Sequence, residues 1–331
     1  MKHNWYLILL ALLFVQCNNK KAEEPVRIGI AWRSVADSTS YGIVSRAIEE
    51  AGGVPVVLDQ AKEYALEYEG YKLSDACLDE NDVLIQEYAD LVKNEPKNGF
   101  NNCNAAEVVD GVDAVVFTGG QDIAPTLFRV PEPWHGLEEE KNFNATRDIS
   151  EYLTMAYCLD QDIPLLGLCR GMQMLGVVSG ASLIQDIPVY YAQKGIRYDF
   201  DHRQPAVPGI RRDYKPHDVV VLTHDSWMYK IAQTDTIHKV PSWHHQSVGP
   251  LDSTALRLTA SFLEEGIEIY EGIERTDQHF AFGVQFHPEV AVDKYLEGAD
   301  NASDYMDYES ALAYFRVLVQ EARATRDSRR K

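Results

Sequence analysis

The chain is built around the sequence GLCRG at residues 167–171, which follows the apolar run PLL at 164–166 and precedes MQML at 172–175. The apolar run predicts a buried strand, and the segment after GLCRG has the apolar spacing of a helix. A cysteine between glycines at such a junction has the G-x-C-x-G pattern of a nucleophile elbow, whose tight turn leaves no room for neighbouring side chains. The helix N-terminus favours the thiolate form. The alternative is a buried structural cysteine, and the pentapeptide alone leaves both interpretations open.

A second stretch, GVQFHPE at residues 283–289, contains groups that can serve such a nucleophile. It follows an apolar run, so we expect it to end a strand, and Pro288 favours an extended conformation at His287. Residues two apart in an extended chain point the same way, which places His287 and Glu289 on one face. A thiol nucleophile needs a base, and the base needs a group that fixes its tautomer. Cys169, His287 and Glu289 are therefore the predicted catalytic set.

Paired glycines follow another predicted strand, at residues 112–117. They belong to the loop that begins Thr118-Gly119-Gly120. Glycines allow backbone N–H groups to approach a substrate closely, as an oxyanion hole requires. We expect the N–H groups of Gly119, Gly120 and Arg170 to form that hole.

Several separated motifs occur in the order typical of the class I glutamine amidotransferase-like superfamily: TGG at 118–120, GLCRGMQ at 167–173, WHHQ at 243–246 and GVQFHPE at 283–289. Within it, the sequence most resembles the γ-glutamyl-γ-aminobutyrate hydrolase family of γ-glutamyl peptidases, whose Arg-Asp pair is matched by Arg147 and Asp148. The resemblance covers about residues 26–320, with Phe286 where the family usually has Trp. It implies an α/β fold of the flavodoxin-like class I glutamine amidotransferase type, with a mostly parallel central sheet flanked by helices.

The resemblance also implies a reaction, the cysteine-dependent hydrolysis of the γ-glutamyl amide bond of a small γ-glutamyl amine or peptide. A γ-glutamyl thioester would form and glutamate would be released, with Gln173, His244, Gln246 and Ser247 binding the glutamyl group. One alternative is a glutaminase subunit that delivers ammonia to a synthetase, which an exported chain with no synthetase domain disfavours. Another is a non-catalytic binding protein of the same fold, which the intact catalytic set disfavours. The sequence does not identify the leaving amine.

Composition narrows the partners. Among 331 residues the formal net charge is -20, which argues against binding to nucleic acid or adsorption to anionic lipid. The sequence has no Walker loop, dinucleotide fingerprint or CxxC pair, so we predict no cofactor. His244 and His245 could suggest a metal, but no Asp or Glu lies at ligand spacing, and we predict none. The expected partner is a small γ-glutamyl substrate, and the oligomeric state is not indicated.

The first 17 residues have a weakly basic start and an apolar run at 5–15 that is too short for a comfortable membrane span. This pattern predicts a signal peptide. Cys17 resembles the lipidated cysteine of a bacterial lipobox, although Phe14 and Gln16 depart from the commonest form. We expect an exported lipoprotein, on the periplasmic or surface side, that touches the membrane only through a lipid on Cys17. The alternative is an ordinary secretory signal, which also predicts export.

The rest of the sequence predicts a polar tether at 18–25, one domain at 26–322 and a disordered basic tail at 323–331. Strand, helix and strand at 26–31, 41–51 and 54–58 indicate a βαβ unit. A helical insertion at about 60–107 is either a lid over the site or an elaborated surface. Since export favours pairing of thiols, we expect a disulfide between Cys77 and Cys103 in this insertion; two unpaired thiols are the alternative.

Overall fold

The computed structural model describes residues 24–32, 38–205, 207–209, 212–264 and 266–330. The predicted signal peptide and Cys17 lie outside these ranges. The described strands are β1 (Arg27–Ala31), β2 (Val54–Val57), β3 (Tyr68–Glu69), β4 (Lys72–Leu73), β5 (Ala114–Phe117), β6 (Leu165–Leu168), β7 (Leu183–Ile184), β8 (Lys215–Val221), β9 (Thr236–Ser242), β10 (Ser247–Val248), β11 (Leu256–Glu264), β12 (Ile267–Arg275) and β13 (Ala281–Val284). The described α-helices are α1 (Ser38–Glu50), α2 (Gln86–Asn94), α3 (Ala105–Val108), α4 (Ala145–Asp160), α5 (Arg170–Val178), α6 (Ile187–Gln193), α7 (Trp227–Ala232), α8 (Pro288–Leu296) and α9 (Tyr308–Arg329).

Nine strands form the central sheet, in the order β2-β1-β5-β6-β13-β12-β11-β8-β9. The pairs from β2 to β13 are parallel, and those from β13 to β9 are antiparallel. The parallel pairing of β1 with β2 around α1 confirms the βαβ unit. In the parallel half, the carboxyl ends of β5, β6 and β13 meet at one edge of the sheet, where open α/β sheets bind their ligands. The TGG loop, the elbow and the HPE segment follow these three strands.

Helices cover both faces of the sheet, as predicted, so its central strands are buried on both sides. Along β5, Val115 and Phe117 belong to the core that contains α4 and α5. Ala114 and Val116 belong to the core that contains α1, α8 and α9. This alternation follows from the two-residue period of a strand, and it explains why the sequence of β5 is apolar without interruption.

A buried charge network joins α4 to the first residue of α5. Arg170 is 1% exposed and forms ion pairs with Asp148, at 2.5 Å, and with Glu151. Glu151 also accepts a hydrogen bond from Arg147 Nε at 2.7 Å. A buried charge is costly unless it is paired, so this network fixes the position of α4 relative to the elbow.

The insertion at 60–107 is helical only in part. It contains the β3–β4 hairpin and the helices α2 and α3, with 3-10 turns between them. Leu84 and Val92 of the insertion are fully buried in the same core as Ile149 and Leu153 of α4. The insertion therefore extends the core on one face of the sheet.

The predicted disulfide is wrong, because Cys77 and Cys103 are free, buried thiols. Both belong to the apolar core beside α4, where a cysteine packs as a small apolar side chain. Cys103 Sγ lies 3.8 Å from the Phe100 carbonyl oxygen. Burial raises the pKa of Cys103 to about 11, which keeps it in the unreactive thiol form at neutral pH.

The C-terminal segment also differs from its prediction. Residues 323–329 continue α9 instead of forming a disordered tail. Arg326 donates to the carbonyl oxygens of Glu24 and Pro25, each at 3.1 Å, and pairs with Asp113 at 3.3 Å. These contacts hold the last turns of the helix against the amino ends of β1 and β5. Basic residues that read as a solvated tail thus have acceptors supplied by the fold.

The segment at 184–216, which lacks periodicity in the sequence, contains one helix, α6. Asp186 caps it by accepting a hydrogen bond from Val189 N at 2.9 Å, and Pro188 lies in its first turn. Among the described residues, no helix is both long enough and apolar enough to cross a membrane.

We predict that Glu151→Gln lowers the free energy of unfolding by about 3 kcal/mol or more, because Arg170 then keeps only one carboxylate partner in a buried site. Urea unfolding followed by circular dichroism measures the change. The control is Glu309→Gln, since Glu309 pairs with Arg316 at the surface; its effect should stay below about 1 kcal/mol. Equal losses in the two variants would contradict a special role for the buried network.

Candidate active site

Cys169 occupies a strained turn between β6 and α5. Its φ is 50° and its ψ is -103°, a conformation that a residue with a side chain rarely adopts. A Cβ atom at Gly167 would lie 2.6 Å from the Gly171 carbonyl carbon, and one at Gly171 would lie 2.3 Å from the Phe117 carbonyl oxygen. Both glycines are thus required by close packing, as the elbow pattern predicts. The turn places the thiol at the N-terminus of α5, 5% exposed.

His287 and Glu289 meet through a short hydrogen bond, with 2.7 Å between Nδ1 and Oε1. Their backbone differs from the extended chain expected from Pro288. His287 precedes the first turn of α8, and Pro288 occupies the first helical position, where its missing N–H costs nothing. The His287 N–H donates to the Pro241 carbonyl oxygen at 2.8 Å, which anchors the residue to the end of β9. The two side chains face each other across the start of a helix.

The pKa of His287 is raised well above its usual range. Burial alone would lower it, but the negative charges of Glu289 and of the Cys169 thiolate, and a hydrogen bond with Cys169, outweigh that effect. The Cys169 sulfur also lies 3.8 Å from the Trp243 carbonyl oxygen. His287 is thus held as an imidazolium beside a thiolate, with Glu289 on its other nitrogen. This is the arrangement that nucleophilic cysteine catalysis requires.

Arg147 orients the TGG loop. Its Nη2 donates to the carbonyl oxygens of Thr118 and Gly119, at 3.2 and 2.8 Å. Because C=O and N–H point in opposite directions across a trans peptide, the N–H groups of Gly119 and Gly120 point away from Arg147. A Cβ atom at Gly120 would lie 1.8 Å from Arg147 Nη1, so only glycine allows this approach.

The loop reaches the two catalytic side chains at Gly119. A Cβ atom there would lie 2.7 Å from His287 Cε1 and 3.6 Å from Cys169 Cβ. Arg170, whose N–H is the third predicted oxyanion donor, directly follows the nucleophile as the first residue of α5. The structure therefore brings together all six residues predicted for the catalytic set and the oxyanion hole.

A cavity of about 420 Å³ opens beside Cys169. Its walls include the TGG loop, Arg147, Asn142, His287 and Glu289, with Ile43 and Val44 of α1 on the apolar side. No residue of the insertion at 60–107 is among those that line it, which does not favour the lid interpretation. The volume suits a small molecule. A larger cavity, of about 830 Å³, lies between β9, α8 and α9, but no cysteine lines it.

Two aromatic residues cover the base. The ring centroid of Tyr214 lies 5.0 Å from that of His287 and 5.3 Å from that of Trp243, both in edge-to-face contact. Both aromatic residues line the cavity. The sequence analysis did not identify Tyr214, because it lies in a proline-rich stretch without periodicity. It also assigned no task to Arg147, although the Arg-Asp pair was visible in the sequence.

The four predicted substrate-binding residues lie behind this cavity and are not among the residues that line it. Their side chains bond to other protein groups. Gln173 Nε2 donates to Gln285 Oε1 at 3.3 Å, and Gln246 Nε2 donates to the Gln185 carbonyl oxygen at 3.1 Å. The remaining two, His244 and Ser247, are 5% and 0% exposed. Their assignment to the glutamyl group stays a prediction.

Comparison with known proteins places this site in a family. The model of the Peptidase C26 family matches residues 96–289, a span that contains every motif described above. Protein NtpR of Enterococcus hirae is 37% identical over 188 residues, which cover 56% of this chain and 70% of that protein. The gamma-glutamyl-gamma-aminobutyrate hydrolase of Escherichia coli (strain K12) is 25% identical over 151 residues, 46% of this chain and 56% of that enzyme.

Among solved structures, a Thermoplasma acidophilum protein named as a GMP synthase subunit superposes with a TM-score of 0.51 at 16% identity. The match covers 94% of this chain and 100% of that chain, and it shows the class I glutamine amidotransferase fold alone. The family match carries the further step from fold to chemistry. The chain belongs to the Peptidase C26 family of hydrolases, within the class I glutamine amidotransferase-like proteins.

Proposed function

We propose that the protein hydrolyses the γ-glutamyl amide bond of a small γ-glutamyl amine or peptide through a thioester on Cys169. The observation that carries this proposal is the assembly at one edge of the sheet. There, Cys169 on its strained turn meets the His287–Glu289 pair and the glycine loop held by Arg147. The name of the Escherichia coli relative supports the γ-glutamyl class.

In the first half-reaction, the Cys169 thiolate attacks the γ-carbonyl carbon of the substrate. The carbonyl oxygen becomes an oxyanion, for which the N–H groups of Gly119, Gly120 and Arg170 are the donors. One such donor is worth about 3 kcal/mol in the transition state. As the C–N bond breaks, the His287 imidazolium gives its proton to the leaving amine. The products of this half are the free amine and a γ-glutamyl thioester.

In the second half-reaction, the neutral imidazole of His287 takes a proton from water as the water oxygen attacks the thioester carbonyl carbon. The C–S bond breaks, glutamate leaves and the thiolate returns. Glu289 holds the ring in one orientation through Nδ1 and stabilises the imidazolium in both halves. Neither half-reaction needs a group beyond the substrate and water.

A glutaminase subunit would use the same site on glutamine, so the substrate decides between the two functions. We predict a higher kcat/KM for γ-glutamyl amines and γ-glutamyl dipeptides than for glutamine, because glutamine has no group beyond the amide nitrogen to occupy a cavity of about 420 Å³. Release of amine or ammonia by the purified chain measures each value. A clear preference for glutamine would contradict the proposed function and favour the glutaminase.

We predict that Cys169→Ser and His287→Ala each lower kcat/KM by about 1,000-fold or more, because nucleophile and base act as one unit. Turnover of a γ-glutamyl amine is the measurement, and circular dichroism checks that the fold is intact. His224→Ala is the control, since His224 lies at the surface in an ion pair with Asp235. More than a few per cent of wild-type activity in Cys169→Ser would refute the nucleophile.

The raised pKa of His287 predicts the pH profile. The imidazolium is fully present below this pKa and is lost as the pH rises through it, so kcat/KM should fall only at a pH well above the usual histidine range. Glu289→Gln removes the carboxylate charge that raises the pKa. The alkaline limb should then move to lower pH, while a reduced activity remains. An unchanged alkaline limb in Glu289→Gln would show that another group controls it.

A further inference from the structure

Three histidines and one glutamate converge in a second buried cluster, beyond the proposed catalytic residues. They are His202 from the segment before β8, His217 on β8, His244 after β9 and Glu271 on β12. One ligand atom from each lies within 4.8 Å of the other three. All four residues are at most 7% exposed. We call this set the His3–Glu cluster.

The distances in the cluster are those of a tetrahedron around a small ion. Glu271 Oε1 lies 3.6 Å from His202 Nδ1, 3.7 Å from His217 Nε2 and 3.5 Å from His244 Nε2. The His202 and His217 nitrogens are 3.4 Å apart. Zinc bonds to imidazole nitrogen and carboxylate oxygen are about 2.0–2.2 Å long, so the edges of a zinc tetrahedron are about 3.3–3.6 Å.

The outer nitrogens of the histidines determine what the inner ones can do. His217 Nδ1 faces the Asp218 carbonyl oxygen at 3.1 Å, and His244 Nδ1 faces that of Gln246 at 2.8 Å. A carbonyl oxygen can only accept, so both Nδ1 atoms carry the proton, and in neutral rings both Nε2 atoms present lone pairs to the cluster. This outer bonding is what orients metal-ligating histidines in proteins.

His202 has the corresponding contact on its other side, where Nε2 lies 2.6 Å from Tyr198 Oη. Without an ion, His202 Nδ1–H could donate to His217 Nε2 at 3.4 Å, a long hydrogen bond. That would leave His244 Nε2 and both carboxylate oxygens of Glu271 without a hydrogen-bond partner, and these three atoms have none in the structure. A separation of 3.5 Å is too long for a protonated carboxyl to donate to His244.

We propose that the His3–Glu cluster binds one Zn²⁺ ion. The cation accepts the three lone pairs and the carboxylate oxygen, which otherwise face one another inside the protein. Four protein ligands close the tetrahedron, which is the pattern of a structural zinc site. Phe262, with ring centroids 4.9 Å from His202 and 5.0 Å from His217, supplies an apolar wall.

The ion would hold two parts of the active site from behind. His244 follows Trp243, whose carbonyl oxygen lies 3.8 Å from the Cys169 sulfur. The Glu271 carbonyl oxygen accepts a hydrogen bond from Gln285 N at 3.0 Å, two residues before His287. Zinc therefore acts as a positioning element for the segments on both sides of the nucleophile, and it does not contact the substrate.

The test uses the full chain without a histidine tag. After dialysis against a weak chelator, elemental analysis should find about one zinc per chain. Protein in which Co²⁺ replaces the zinc should show the visible absorption of a tetrahedral nitrogen–oxygen site, without the charge-transfer band of a thiolate. A thiolate band would place the ion at a cysteine and overturn the proposal, as would a chain that binds no zinc.

Two variants remove a ligand, and two controls change a nearby residue of the same type. His202→Ala and Glu271→Gln should weaken zinc binding at least about 100-fold, since loss of an outer-shell partner alone costs up to that much. His238→Ala and Glu268→Gln should leave it unchanged, because these side chains lie at the surface. Equal binding by Glu271→Gln and Glu268→Gln would refute the site.

A thermal readout keeps the proposal testable where a ligand variant fails to fold. A strong chelator should lower the melting temperature of the wild-type chain, and added Zn²⁺ should restore it, since a ligand that binds only the folded state stabilises that state. No change in melting temperature with either treatment would overturn the proposal. These measurements use no substrate, so their outcome is independent of the proposed γ-glutamyl reaction.

Discussion

The active site depends on how closely α5 approaches the ends of β5 and β6. At Gly167 and Gly171 the backbones are so close that a single added carbon would overlap a carbonyl group. This contact forces Cys169 into its strained turn and carries Arg170 into the interior. A buried guanidinium needs carboxylates, and α4 supplies them as Asp148 and Glu151. Since the same helix carries Arg147 to the TGG loop, one helix positions both the nucleophile turn and the oxyanion loop.

Much of the catalytic site could be predicted from the sequence because its parts are local. A strand, a glycine-flanked cysteine and a helix define the elbow within a few residues, and His287 and Glu289 are two residues apart. Contacts made by distant segments left weaker signals. Tyr214 lies in a stretch without periodicity, and the basic end of α9 read as a tail because its acceptors, Glu24 and Pro25, lie at the other end of the chain. The expected disulfide failed because composition and compartment say nothing about how two thiols pack.

The His3–Glu cluster shows the same limit more sharply. Its histidines are spread from residue 202 to residue 244, and its carboxylate comes from β12. A search for an acidic residue near the His244-His245 pair finds none at ligand spacing, because the partner is supplied by the antiparallel half of the sheet. Only the strand order brings these side chains together. Local spacing identifies metal sites built on one loop or helix, but not those built across a sheet.

The contacts of Arg326 with Glu24 and Pro25 give the molecule a polarity. They fix the beginning of the domain, and the last turns of its final helix, at the amino ends of the strands. Cys169 opens at the carboxyl ends, on the opposite side of the sheet. Whatever precedes residue 24 is therefore attached to the back of the enzyme. If Cys17 carries a lipid, the bilayer and the cavity mouth face opposite ways, and substrate reaches the cysteine from the surrounding fluid without passing between protein and membrane.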